Sequence, residues 1–153
     1  MNDVFAFPEP IGTDYEYIMA SRYGRVVMAA GQIAKIAHNE LHATGRCGVE
    51  VDLPTAQKNA EICAGQALSW LSQQAGPDEK LERILRMTAY IAVGDHIVDI
   101  SSIADAASRV FIVALGDQGR HPRSVIGVSR LPRNAPVLLE VTAAIGSKPN
   151  KSN

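Results

Sequence analysis

The sequence predicts an α+β fold: one sheet of five or six strands with two helices on one face. Three observations predict it. Two stretches carry apolar residues at helical steps, and several others alternate apolar and polar residues at steps of two. The elements run strand-strand, helix, strand, helix, strand-strand. Two helices cover one face of such a sheet and leave the other bare. A partner subunit is the natural cover for that second face.

Taken in order, residues 1–14 hold Pro8, Pro10 and Gly12 and read as an N-terminal arm. Tyr15 to Ser21 reads as a strand, Gly24 as a turn, and Arg25 to Ala30 as a second strand, together a hairpin. Residues 34–50 are mixed, with His38, His42, Gly45 and Gly48, and predict short strand pieces and loop. Asp52-Leu-Pro54 opens a helix, because Asp52 can cap it and a proline in the first turn gives up no hydrogen bond. Its stripe is Ala56, Ala60, Cys63, Ala64, Ala67, Leu68 and Leu71, and Gly76-Pro77 ends it. The stripe is mostly small, which suits close packing on a sheet. Trp70 lies off its centre and reads as cover for an edge.

Ile84 to Val93 alternates, with Leu85, Met87, Ala89, Ile91 and Val93 on one face and Arg86, Thr88 and Tyr90 on the other. Gly94-Asp95 breaks this strand. A second helix starts near Asp99 or Ser101, with Ile103, Ala107, Val110, Phe111, Ala114 and Leu115 as its stripe and Gly116 as its stop. Two further strands, Arg123 to Arg130 and Val137 to Ile145, are joined by Leu131-Pro-Arg-Asn-Ala-Pro136. The tail, 146–153, reads as disordered.

At 153 residues the chain reads as one domain, 1–153. A net charge of -1 gives no bulk footprint for nucleic acid. The two cysteines, Cys47 and Cys63, have no zinc spacing and make no disulfide framework. A reducing cytoplasm is the simplest compartment. The first residues lack a basic segment followed by an apolar one, and no apolar run is long enough for a membrane span.

The stretch His121 to Pro132 carries the most chemistry. In a strand, Arg123, Val125, Gly127 and Ser129 share one face. A guanidinium beside a small, dry floor is a good carboxylate receptor, since its fork of donors matches two oxygens. The plainer reading is an arginine at a strand start, paired with a surface carboxylate. His121 could move protons, although a loop histidine before proline is more often a spacer. His38 and His42 have a metal spacing only on a helix, and their neighbours do not make one.

Several motifs together resemble the Rid (YjgF) family of reactive-intermediate imine/enamine deaminases, also known as L-PSP endoribonuclease or translation-inhibitor proteins. The residues are Ala30-Gly31-Gln32-Ile33, Gly119-Arg-His-Pro-Arg-Ser-Val-Ile-Gly-Val128, Leu131-Pro132 and Val137-Leu-Leu-Glu-Val141. Tyr17 stands seven residues before Gly24, as the family's pocket tyrosine does. The likeness runs from about Tyr17 to Ile145, and the Gly-Arg-His-x-Arg-Ser-x-x-Gly-Val segment points to a longer subgroup.

The resemblance implies a chorismate-mutase-like fold and a homotrimer, with the sheets as an inner barrel and clefts between subunits. It implies that Arg123 binds the carboxylate of a small imino or enamine acid. Tyr17 would wall the pocket, and backbone groups at Gly31 and Val125 would hold the reacting end. A glutamate would position water, giving a 2-keto acid and ammonia. No metal or organic cofactor is implied.

Three positions depart from the family. Ala30 replaces a serine, and Val125 replaces a cysteine, so thiol chemistry there is excluded. Aligned without a gap, the water-positioning glutamate falls on Leu138. Two inserted residues, or a bulge, would bring Glu140 to that place as the catalytic carboxylate. Three functions follow: an imine/enamine hydrolase, a non-catalytic binder of small carboxylates, or a ribonuclease. The near-neutral charge and missing cysteine weigh against the last.

Overall fold

The computed structural model describes residues 5–150. The first four residues of the expected arm and the last three of the tail lie outside the described residues. The architecture is α+β. A five-stranded mixed sheet is built from β1 (Ala20–Tyr23), β2 (Val26–Ala29), β5 (Glu79–Ala92), β6 (Arg123–Val128) and β7 (Val137–Ser147). A small hairpin, β3 (Lys35–Ala37) and β4 (Glu40–Leu41), stands apart. The helices are α1 (Leu53–Ser72) and α2 (Ile100–Leu115). The sheet order is β1-β2-β7-β5-β6, all antiparallel except the β5–β6 pair. That pair is parallel because α2 carries the chain back between the two strands.

The helix ends follow the local chemistry. Asp52 caps α1, its Oδ1 accepting from the Thr55 N–H at 2.9 Å, and Pro54 sits in the first turn. Asp99 caps α2 in the same way through Ser102, and Gly116 ends it with a φ of 63°. All seven stripe residues of α1 are buried. The small side chains bring the helix close to the sheet, while Leu68 and Leu71 each contribute roughly 2 kcal/mol of apolar burial. Cys47 and Cys63 are buried free thiols. Burial pushes the Cys47 thiol up to about 11 and holds the Cys63 thiol far above its ordinary range.

Three strand expectations are corrected. The first strand begins at Ala20, not Tyr15, because 14–17 bends and Tyr17 donates its N–H to the Tyr15 carbonyl. β5 begins at Glu79, and two register shifts, at Leu81/Arg83 and Ile84/Arg86, break the alternation. They bring Leu81, Ile84 and Met87 inward at steps of three, so Ile84 rather than Leu85 is in the core. At the other end, β7 continues to Ser147, and Lys148 donates its N–H to the Asp78 carbonyl at 2.8 Å. Residues 146–148 are therefore held against the start of β5 and the turn before it.

Both helices cover the sheet face formed by Met87, Ala89, Ile91, Leu139 and Val141. The opposite face has no cover among the described residues. It carries Tyr23, 92% exposed, and Met28, 54% exposed, beside Val26 and Ile126.

Candidate functional site

A cavity of about 670 Å³ opens beside the start of β7. The segment before β1 supplies Tyr15, Tyr17 and Ile18, and the segment after β2 supplies Ala30, Gly31 and Ile33. Gln32 fixes the latter segment by exchanging backbone hydrogen bonds with Leu139, at 2.8 and 3.0 Å. Ile11 comes from the arm, whose backbone N–H donates to the Gln66 side chain of α1 at 3.0 Å. The floor is Leu138.

The β7 register is regular where Glu140 lies. Val137 to Val141 pair with Ile91 to Met87 one for one, with no bulge. Leu138 enters the cavity, while Glu140 stands one step further along the bare sheet face, opposite Thr88. Glu140 is exposed, and its hydrogen bond and then its charge raise the Tyr90 hydroxyl above its ordinary pKa. The strand therefore holds no bulge that would turn Glu140 inward, and among the described residues no acidic side chain lines the cavity.

Arg123 lies elsewhere. In the parallel pair, Arg123, Val125 and Gly127 stand beside Met87, Ala89 and Ile91, which face the helices. The Arg123 guanidinium reaches α2, where it pairs with Asp105 at 2.7 Å and donates to Ser108 Oγ at 3.0 Å. Its other terminal nitrogen donates to the Ser101 carbonyl at 3.3 Å. Within one chain, then, Arg123 and Val125 are on the helix side of the sheet, and Tyr17, Gly31 and Leu138 line the cavity. The bare position at Gly127 admits Val93 and Ile100 rather than a ligand: a β-carbon there would stand 3.2 Å from Val93.

His121 belongs to the arginine's network. Its Nδ1 lies 2.6 Å from the Gly119 carbonyl, which places the proton on Nδ1. Its Nε2, 3.1 Å away, then accepts from the Ser108 hydroxyl. The hydrogen bonds run one way, from Arg123 to Ser108 to His121 to Gly119. Burial, and then the nearby Arg123 charge, lower the His121 pKa below its ordinary value. Gly119 lets this corner approach α2, since a β-carbon there would lie 2.1 Å from the Phe111 carbonyl oxygen.

The metal reading of His38 and His42 finds no support in their geometry. His38 lies in the turn between β3 and β4 and His42 just after β4, and they turn to different partners, His38 to Asp14 at 2.7 Å and His42 to Asn59 at 3.2 Å. Among the described residues no cluster of three metal-ligating side chains exists.

Two cations at the cavity escaped the sequence reading. Lys35 Nζ donates to the Gly12 carbonyl at 2.7 Å, and Arg133 donates to the Asn39 carbonyl at 3.0 Å. Both line the cavity. Their only sequence signal is adjacency: Lys35 follows Gly31-Gln-Ile-Ala, and Arg133 follows Leu131-Pro132. Asp105 and Ser108 were also missed, although their spacing puts them on one side of a helix.

No family model matches the chain. A curated relative, "Protein TCP17" of Trypanosoma cruzi, is 28% identical over 103 residues, 67% of this chain and 63% of its own length. The chain thus spans less than two thirds of that relative. Among solved structures, the Agrobacterium tumefaciens protein Atu1372, of unknown function, is 26% identical with a TM-score of 0.77, over 84% of this chain and 82% of its own. The YjgF gene product of E. coli is 18% identical with a TM-score of 0.61, over 88% and 92%. E. coli TdcF with bound serine is 21% identical with a TM-score of 0.63, also over 88% and 92%. The chain therefore has the fold of the YjgF/L-PSP proteins.

Proposed function

We propose that this chain, built on the YjgF fold, is a Rid-family protein that assembles as a homotrimer and binds small organic acids in clefts between copies. The bare sheet face supports the assembly, because Tyr23, Val26, Met28 and Ile126 form an apolar surface that other copies would cover. Each cleft would then combine the Tyr17–Gly31 wall of one copy with Arg123 of the next. The serine held by TdcF is consistent with a small-acid ligand for this fold.

The observation that carries the binding reading is Leu138 on the cavity floor. Hydrolysis of an imine needs a group that orients water and moves a proton. A leucine does neither, and Glu140 stands exposed on the bare sheet face, opposite Thr88. Binding without turnover is the reading that the geometry supports best. Deamination is the second reading, and it rests on the likeness alone.

Light scattering on purified protein is expected to give three times the chain mass, and pyruvate is expected to raise the melting temperature. A monomer, or no shift with any of several 2-oxo acids, contradicts this function. Ammonia release from 2-aminoacrylate is expected to stay at the buffer rate and to rise in Leu138→Glu. Release well above buffer by the unaltered protein would establish deamination instead.

A further inference from the structure

We propose that residues 5–13 form a strap across α1, which swings as a unit about the bend at 14–17 and so opens and closes the cavity beside β7. The strap governs access rather than affinity, and so stands apart from the acid binding proposed above.

Three observations carry it. The first is that side chains alone fasten the arm. Among the described residues, the backbone of 5–13 makes no hydrogen bond to another backbone group, whereas the strands of the sheet are joined in a ladder. Gln66, 4% exposed, accepts from the Ile11 N–H at 3.0 Å and donates to the Glu9 carbonyl at 3.2 Å. The Ser69 hydroxyl donates to the Pro8 carbonyl at 2.6 Å, and Lys35 donates to the Gly12 carbonyl at 2.7 Å. Asp14, which meets His38 at 2.7 Å, fixes the foot of the strap. A segment held this way opens locally, at a free energy well below that of global unfolding.

The second is that opening leaves little unsatisfied. The Gly65 carbonyl stands 3.2 Å from Ser69 Oγ and takes its proton when Pro8 leaves. Trp70 Nε1 is buried without a hydrogen-bond partner among the described residues. Gly12 lies against the neighbouring edge of that ring, where a β-carbon on it would stand 3.8 Å from Cζ2 and Cη2. Lifting the strap brings water to the indole N–H. Nor is the bed filled: a groove of about 270 Å³ remains between Phe5, Pro8, Ile62 and Val110.

The third is that the same segment walls the cavity. Ile11 and Thr13 line it, so a strap that lifts takes part of the wall with it. Gly65 lets the strap lie flat, since a β-carbon there would stand 3.2 Å from Pro8 Cγ.

The test is hydrogen exchange and thiol labelling of the full chain. The Ile11 amide is expected to exchange roughly a hundredfold faster than the core amides of Ala89 and Leu139. Gly65→Ala and Ser69→Ala should each speed Ile11 exchange several-fold, although neither removes the bond from Ile11 to Gln66. Gly65→Ala should do so without lowering the urea midpoint, because alanine suits a helix interior better than glycine. Should that midpoint fall, Ser69→Ala decides alone. Fluorescein maleimide should label Leu138→Cys, on the cavity floor, several-fold faster once either change is added. Cys47 and Cys63 are buried and should stay unlabelled. Ile11 exchange at the rate of the core amides, or unchanged by Ser69→Ala, would overturn the strap. Faster Ile11 exchange with an unaltered labelling rate would show an arm that gates nothing, and would overturn the proposal as well.

Discussion

Leu138 lies against Gly31 so closely that a β-carbon on Gly31 would stand 2.7 Å from Leu138 Cδ2 and 3.2 Å from its Cγ. The glycine thus sets the position of the leucine that floors the cavity. Gly31→Ala is expected to cost about 1–2 kcal/mol through overpacking. In a Leu138→Ala background the same change should cost little, because the clash is gone. Urea unfolding of the four proteins checks this, and equal costs in both backgrounds would contradict the contact.

The chain from Arg123 through Ser108 to His121 predicts a second outcome. Ser108→Ala removes both an acceptor for the arginine and a donor to the histidine, at a cost of roughly 1 kcal/mol. Because the fold lowers the His121 pKa, its stabilisation is complete above pH 6.5 and is lost as pH falls through the folded value below that. His121→Gln should flatten the part of the stability curve just below pH 6.5. An unchanged slope there would place the pH dependence elsewhere.

Arg22 and Glu79 tie β1 to the start of β5 through two parallel hydrogen bonds, at 2.6 and 2.7 Å. The guanidinium, with the Gly76 N–H, holds the Glu79 carboxyl down to about 2 from its ordinary 4.5. A depressed carboxylate stabilises the fold fully above pH 4.5, and that contribution disappears as pH falls towards 2. The stability difference between the protein and Glu79→Gln is therefore expected to shrink across this interval. A difference that stays constant from pH 6 to pH 2 would show that the pair contributes nothing through charge.

Most of the fold was legible because its signals are local. The Asp52 and Asp99 caps, the Gly116 stop and the alanine-rich stripe of α1 each depend on neighbours in sequence. The start of β5 was not, because its two register shifts replace the step of two with a step of three. Nor was the direction of Arg123. A strand's alternation says which residues share a face, and only the parallel pairing with Met87 says that this face looks at α2. The Lys35–Arg133 pair brings together residues almost a hundred positions apart, which spacing cannot reveal.

The Arg123–Asp105 pair bears most directly on function, because a ligand acid must compete with a carboxylate already 2.7 Å away. Calorimetric titration of pyruvate into the protein, Arg123→Ala and Asp105→Asn measures that competition. A saturable heat with one acid per chain is expected, absent in Arg123→Ala and several-fold tighter in Asp105→Asn. Pyruvate binding that persists unchanged in Arg123→Ala, or no binding by any of the three, would contradict a small-acid site built on this arginine.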